Sequence, residues 1–493
     1  MPKVKSRRRK LINSWIEKFD CYTTDGDVVF CQPCGRKVAC DKKYHLDQHA
    51  ATATHTFNCG KDLPSTSRQI FLKDCAPEAK KSALHADLCT ALVAANIPWT
   101  KLENPVFRSF LEKYCNTKIP CESTLRKNYL GYTYEEVLSS IRSEVGDSSI
   151  WISVDETTDA NGRYIANMVI GKLESEKPTR PFLIASKPLE KTNGDTVAYF
   201  VNTSLKILYP SGADDEKVLL LYTDAAAYMH RAATLLKVFF PRMTHVTCLA
   251  HALHRVAEEV RTNFTEVNQL VSSVKKVFLK APARVQAFKD KLPDVPLPPE
   301  PILTRWGTWL NAVDYFHSHF EGLRSVILEL SRDEAESVRR AQDIFELTKL
   351  PGELAYISAN YVFIADSIRQ LESSGQALCD AVATIAAVRE NIEKVPKGPV
   401  ADKVAKKLKY VLEKNPGFKI LESVAGVLAG TELITPEEIR PSDIPKFKFA
   451  PVTSVDVERS FSAYKLVLSD RRRSFTPTNL EMVLVSYCYH NLT

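Results

Sequence analysis

At 493 residues the chain is long enough for several cores, and its 44% hydrophobic and 25% charged residues are ordinary for a folded globular protein. Lysine and arginine number 66 against 59 aspartate and glutamate; the net +7 permits a polyanionic partner without demanding one, so the placement of charge matters more than its sum. No run approaches 18 consecutive apolar residues, which argues against a membrane-spanning helix, and no apolar stretch follows the basic amino-terminal run as a secretory leader would require.

Residues 1–20 read as a basic tail, with Lys3, Lys5, Arg7, Arg8, Arg9 and Lys10 suited to a nuclear address, a phosphate-contacting arm or a solvated charged end. Residues 21–60 hold five of the twelve cysteines. Scattered cysteines in a long chain of this kind are expected to be reduced, with a cluster binding metal. Cys31 and Cys34 form a Cys-x2-Cys pair, followed after fourteen residues by His49 and, five residues on, His55. That spacing predicts a tetrahedral structural Zn²⁺ held by a turn and a helix over Lys42–Ala53, with no open position for catalysis. His45 is a rival ligand, one helical turn from His49. Arg36, Lys37, Lys42 and Lys43 suit phosphate contacts or a solvated face.

Residues 61–78 read as a linker, Asp62 to Arg68 being its most loop-like part. Residues 79–145 carry helical patterns over Ala79–Ala95, Pro105–Tyr114 and Tyr134–Val145, with Pro105 at a first helical position. This segment is too small for a large core of its own and is expected to pack on the next domain or on a partner copy.

From 146 to 263 the pattern changes. Strands are expected at Ser149–Val154, Tyr164–Leu173 and Pro181–Ser186, then a helix over Asp195–Leu208, a strand over Lys217–Tyr222, a helix to about Phe240, a strand over Met243–Thr247 and a helix over Cys248–Arg261. The order βββαβαβα specifies a mixed sheet covered by helices, an α/β fold. Residues 264–445 show only helical periodicity and read as a helical domain. In residues 446–493 a helix follows Ala450–Glu458, with Val457, Phe461, Tyr464 and Leu468 on one face, and a second begins near Thr478. Thr453 and Asp456 are spaced as a capping box at the first of these.

Asp155 and Asp224 each follow a buried apolar strand and enter a polar turn. On neighbouring strands their carboxylates would converge at one sheet edge, where open α/β sheets bind ligands. Converging carboxylates repel unless a cation lies between them, and a pair of divalent ions, most often Mg²⁺, suits oxygen ligands and phosphate substrates. A third acid is then expected, and Glu458 is the best placed. Glu156 and Asp159 read as turn polarity.

These elements resemble the hAT superfamily of DNA transposases. The resemblance is carried by Val154–Asp159, by Tyr222-Thr-Asp224-Ala-Ala-Ala-Tyr-Met229, by Cys248-Leu-Ala-His251, by Thr304-Arg305-Trp306 and by Val457-Glu458-Arg459-Ser-Phe461, in the family's order across residues 145–490. It implies a ribonuclease-H-like mixed sheet interrupted by an all-α insertion domain before the third acid. It further implies that Asp155, Asp224 and Glu458 are the DDE ligands of Mg²⁺ or Mn²⁺, and that Cys248 and His251 form a supporting Cys-x2-His motif. Trp306, after Arg305, is similar to the family tryptophan that stacks on an unpaired base at the cleavage point; Trp309 competes for that part. Arg459, Arg471, Arg472 and Arg473 could contact phosphates. The chain departs from the family in the second motif, which often carries Asn where Ala225 and Tyr228 stand here.

The amino-terminal part is similar to a BED-type finger, and residues 20–130 resemble the CGG-triplet-repeat-binding protein through Ala95–Pro98, Asn104–Leu111 and Ser123–Lys127. The resemblances together imply a nuclear DNA transposase acting as a dimer or larger assembly, without a membrane, on double-stranded DNA. It would bind the terminal inverted repeats, cleave with hairpins on flanking DNA, and transfer 3′ ends to a target. The competing expectation is a catalytically silent DNA-binding regulator descended from such an enzyme; a third is a metal-dependent nuclease of another sort.

Overall fold

A computed structural model describes residues 11–16, 19, 21–24, 28–62, 82–210, 215–299, 307–469, 472 and 474–492, with side chains excepted at 59–62. The basic run Lys3–Lys10 and most of the Asp62–Arg68 linker lie outside them, as do Arg305, Trp306, Arg471 and Arg473. The chain forms two compact units, Met1–His245 with Ser454–Thr493, and Val246–Thr453.

The first unit opens with a small three-stranded antiparallel sheet, β1 (Tyr22–Thr24), β2 (Val29–Cys31) and β3 (Arg36–Val38). Its core is Tyr22, Val29, Cys31, Val38, Cys40 and Leu46. The Tyr22 hydroxyl donates to the Leu46 carbonyl at 2.8 Å and fastens the helix Lys43–Ala50 to the strands. The expected single helix over Lys42–Ala53 is broken: a second, Ala53–Asp62, starts after Thr52, whose hydroxyl donates to the His49 carbonyl and accepts from the His55 N–H. A hydroxyl that serves both helix ends is what ends one and starts the other.

The larger sheet has the order β6 (Phe182–Leu189), β5 (Tyr164–Lys172), β4 (Ile150–Thr158), β7 (Val218–Thr223), β8 (Thr244–Thr247). β4, β5 and β6 are antiparallel, and β7 runs parallel to β4, so the sheet is mixed as the element order requires. Asp155 is not at the end of its strand. β4 continues to Thr158 because β5 pairs with it all the way to the turn, whereas the pairing with β7 stops at Ser153 and Tyr222. Continuing that register by two residues brings Asp155 opposite Asp224.

Helix Val455–Val467 lies on β4 and β5, and helix Pro477–Asn491 lies between β6 and the helices Ala83–Ala94 and Leu130–Val145. The helical segment is therefore part of this unit's core. Asn491 donates to the Ala94 carbonyl at 2.9 Å, and Asn96, in a left-handed conformation with φ 52, donates to Leu466 at 3.4 Å. The 455–467 helix is capped by position 454 without a side-chain bond, so the Thr453–Asp456 capping box does not form; Thr453 instead points its hydroxyl to Leu371.

The second unit is helical from Leu249–Thr262 to Pro416–Leu428 and closes with a 3-10 stretch, Pro441–Phe449. Buried Asn415 accepts from the Thr247 N–H at 3.0 Å and donates to the Thr247 carbonyl at 2.7 Å, pairing the strand's last residue as another strand would.

Candidate functional site

Cys31, Cys34, His49 and His55 each offer a ligand atom within 4.8 Å of the others, and His45 is not among them. Cys31 ends β2, and Gly35 takes φ +58 after Cys34, a left-handed turn that lets the chain reverse behind the pair. His55 Nδ1 lies 3.3 Å from the Cys31 sulfur and 3.4 Å from that of Cys34. His49 Nε2 is buried with no hydrogen-bond partner. Burial, then Arg36 and His55, push the His49 imidazole down to about 4, so it is neutral as a ligand must be. Burial pushes the Cys31 thiol up to about 12, a desolvation cost that a coordinated cation removes. Two sulfurs, two imidazoles and a buried nitrogen without a partner fit a structural Zn²⁺.

The second centre lies on the large sheet. Asp155 is 8% exposed, and its carboxyl makes a hydrogen bond with that of Glu458 from helix Val455–Val467. Burial first, then the charge and hydrogen bond of Glu458 and the charges of Glu156 and Asp224, raise the Asp155 carboxyl well above its ordinary range. Half-buried Asp224 follows β7 and accepts from the Ala226 N–H at 3.0 Å. The Thr223 hydroxyl donates to the Asp224 carbonyl at 2.7 Å and so accepts from His245 Nε2 at 2.8 Å, which sets the His245 tautomer. Burial and the neighbouring His230 push His245 down to about 3, keeping it neutral.

Successive side chains on a strand face opposite sides. Asp155 meets the 455–467 helix; Glu156 points the other way and accepts from the Tyr228 hydroxyl on helix Ala227–Leu236. Glu156 is therefore not turn polarity: its second oxygen is buried without a partner, and burial raises its carboxyl. Tyr228 is the residue that holds it. Asp159 does serve the turn, accepting from the Asn161 and Arg163 N–H groups at 2.9 Å, from the Arg163 guanidinium at 2.7 Å and from the Tyr464 hydroxyl at 3.1 Å. On the Asp155 side, buried Asn167 donates from Nδ2 to Ser460 Oγ at 2.7 Å.

Sequence reasoning missed Asn167, Ser460, Thr223 and His245. Asn167 left one signal, a lone amide inside the apolar Tyr164–Lys172 strand. Of the basic residues expected to meet DNA, Arg459 pairs with Asp456 at 2.7 Å, and Arg472 donates to Asn96 and lies over the Phe475 ring. Cys248 and His251 open the first helix of the second unit, and Trp309 is buried in that unit.

Residues 120–281 match a domain of unknown function, DUF659, and residues 76–132 match the CGGBP1 helical domain. No curated protein matches the chain.

Proposed function

We propose that the chain is a hAT-type DNA transposase, with Asp155, Asp224 and Glu458 as its catalytic acids. The carrying observation is their convergence: two come from neighbouring parallel strands, and the third returns on a helix after the helical unit. The mixed strand order and this late third acid support reading the fold as ribonuclease-H-like with an insertion. The DUF659 match supports the family reading, since that domain is found in hAT-type transposases.

The three acids offer oxygen donors, which suit a divalent cation, and burial and the neighbouring acids raise the Asp155 carboxyl, an electrostatic cost that such a cation would remove. Asp155, Asp224 and Glu458 would hold Mg²⁺ or Mn²⁺, and such a cation would supply activation of a water or a DNA 3′-hydroxyl and stabilisation of charge on the leaving oxygen. The protein's own part is to hold three acids together. β4 and β7 set Asp155 against Asp224, Thr223 and His245 fix the turn carrying Asp224, and the 455–467 helix brings Glu458. The zinc-binding finger would recognise the terminal inverted repeats. Trp306 would stack on an unpaired base, with Arg305, Arg459 and Arg471–Arg473 near the phosphates and Cys248 and His251 as motif support. Two DNA ends call for a dimer or larger assembly, in the nucleus.

A second reading, a silent DNA-binding regulator, is favoured by the match to the CGGBP1 helical domain beside a zinc-type cluster. The test is incubation of the full chain with Mn²⁺ or Mg²⁺ and DNA carrying the terminal inverted repeats of its own element. Cleavage that disappears in Asp155→Ala supports the transposase. Binding without any cleavage leaves the regulator.

A further inference from the structure

We propose that Asn167 is a positioning residue of the carboxylate site: through Ser460, its buried amide sets where Glu458 meets Asp155. This rests on reading Asp155, Asp224 and Glu458 as a cation site.

Asp155 and Asp224 leave neighbouring strands, and backbone pairing between β4 and β7 fixes their separation. Glu458 has no such constraint. Its helix re-enters after the second unit and lies on the face of β4 and β5 through apolar residues such as Val457 and Phe461. Apolar contact is non-directional, and sliding a helix by one residue moves a carboxylate about 1.5 Å, more than a coordination shell tolerates.

Asn167 supplies a directional tie at that point. It pairs directly across from Asp155 on β5, so the two side chains share a face of the sheet. It is 0% exposed, as is Ser460, two residues beyond Glu458. Ser460 gives its only proton to the Val457 carbonyl at 2.5 Å, so it must accept from the amide, and the amide's orientation is settled. Asn167 Oδ1 has no partner. A leucine would fill an apolar strand core of this kind without an orphaned oxygen, so packing does not account for the amide. One helical turn further, Tyr464 binds Asp159. The two ties pin the helix along β4 and β5.

The test uses the zinc-loaded full chain and titrates Mn²⁺ by calorimetry, with thermal unfolding measured alongside. Asn167→Leu and Ser460→Ala should each weaken Mn²⁺ binding about tenfold, the scale of lost supporting bonds at metal sites. Because both remove the same bond, the double variant should bind Mn²⁺ no more weakly than the worse single. A lowered melting temperature with unchanged Mn²⁺ affinity in both single variants would overturn the proposal. So would a loss in Asn167→Leu that Ser460→Ala does not share. If Asn167→Leu fails to fold, Ser460→Ala alone decides on the same readout. Asp155→Ala separates the two levels: undiminished Mn²⁺ binding there refutes the cation site itself, whereas loss there with unchanged affinity in the Asn167 and Ser460 variants refutes only the positioning role.

Discussion

Asp155 and Glu458 meet carboxyl to carboxyl inside the protein, one from the central strand of the sheet and the other from a helix near the end of the chain. Like charges that close repel, and a cation between them would offset the repulsion.

This arrangement weakens the cation-free protein where Asp155 loses its proton. The Asp155 carboxyl is raised above its unfolded value, so its contribution to stability is present below the ordinary carboxylate range and lost as pH rises through the raised value. Thermal unfolding of the zinc-loaded protein in buffer freed of Mg²⁺ and Mn²⁺, without added chelator or free Zn²⁺, should show falling stability over that rise. Asp155→Asn should flatten the profile and stabilise the cation-free protein at neutral pH by roughly 1 kcal/mol. A variant less stable than the parent at neutral pH contradicts this.

The zinc centre should be all or none. Replacing Cys31 by Ser removes one of four candidate ligands beside a small core that includes Tyr22, Val29, Val38 and Leu46. Zinc content measured by atomic absorption should drop by one equivalent per chain, and Cys34→Ser should match it. His45→Ala should leave the content unchanged.

Asp159 should confer acid sensitivity. Burial alone would raise its carboxyl, but hydrogen bonds from Arg163 and Asn161 outweigh it and hold the group below its ordinary range. Its contribution is therefore present at neutral pH and lost as pH falls through the depressed value. Asp159→Asn should lower the melting temperature at pH 7 and narrow the gap to the parent in acid. An equal gap at both pH values would argue that the Arg163 and Tyr464 contacts are incidental.

Arg180 should matter for docking the last helix. Its guanidinium lies 4.9 and 4.5 Å from the ring centres of Phe182 and Tyr489, which stack on each other, and donates to Glu144 at 2.6 Å. Arg180→Lys keeps the charge but loses the flat stacking surface and the fork. Chemical denaturation should show a loss of roughly 1 kcal/mol for Arg180→Lys and somewhat more for Arg180→Ala. Full retention by lysine would show that charge alone suffices.

Periodicity found the large sheet because its strands are buried on both faces: continuous apolar runs such as Val218–Tyr222 have few other readings. Spacing found the zinc set, since Cys31 and Cys34 are brought together by a local turn. It misplaced the helix around His49 and His55 because the break depends on one hydroxyl, Thr52, that composition does not mark. Glu156 was misread for a similar reason. Strand alternation says which face a side chain takes but not that Tyr228 waits on that face.

What the sequence determined by itself was therefore local: the strands, the helices, the Cys-x2-Cys turn, and the acids after apolar runs. Those features depend on neighbours within a few residues, whose preferences are written in the order of the chain. The tertiary structure decided the register that sets Asp155 beside Asp224 and opposite Asn167. It also decided the seat of the 455–467 helix, where Ser460 and Tyr464 bind the sheet and Glu458 reaches Asp155. Contacts between remote segments depend on how two packed surfaces fit, and apolar periodicity makes such surfaces sticky without saying where along them they stop. A few buried hydrogen bonds supply that position.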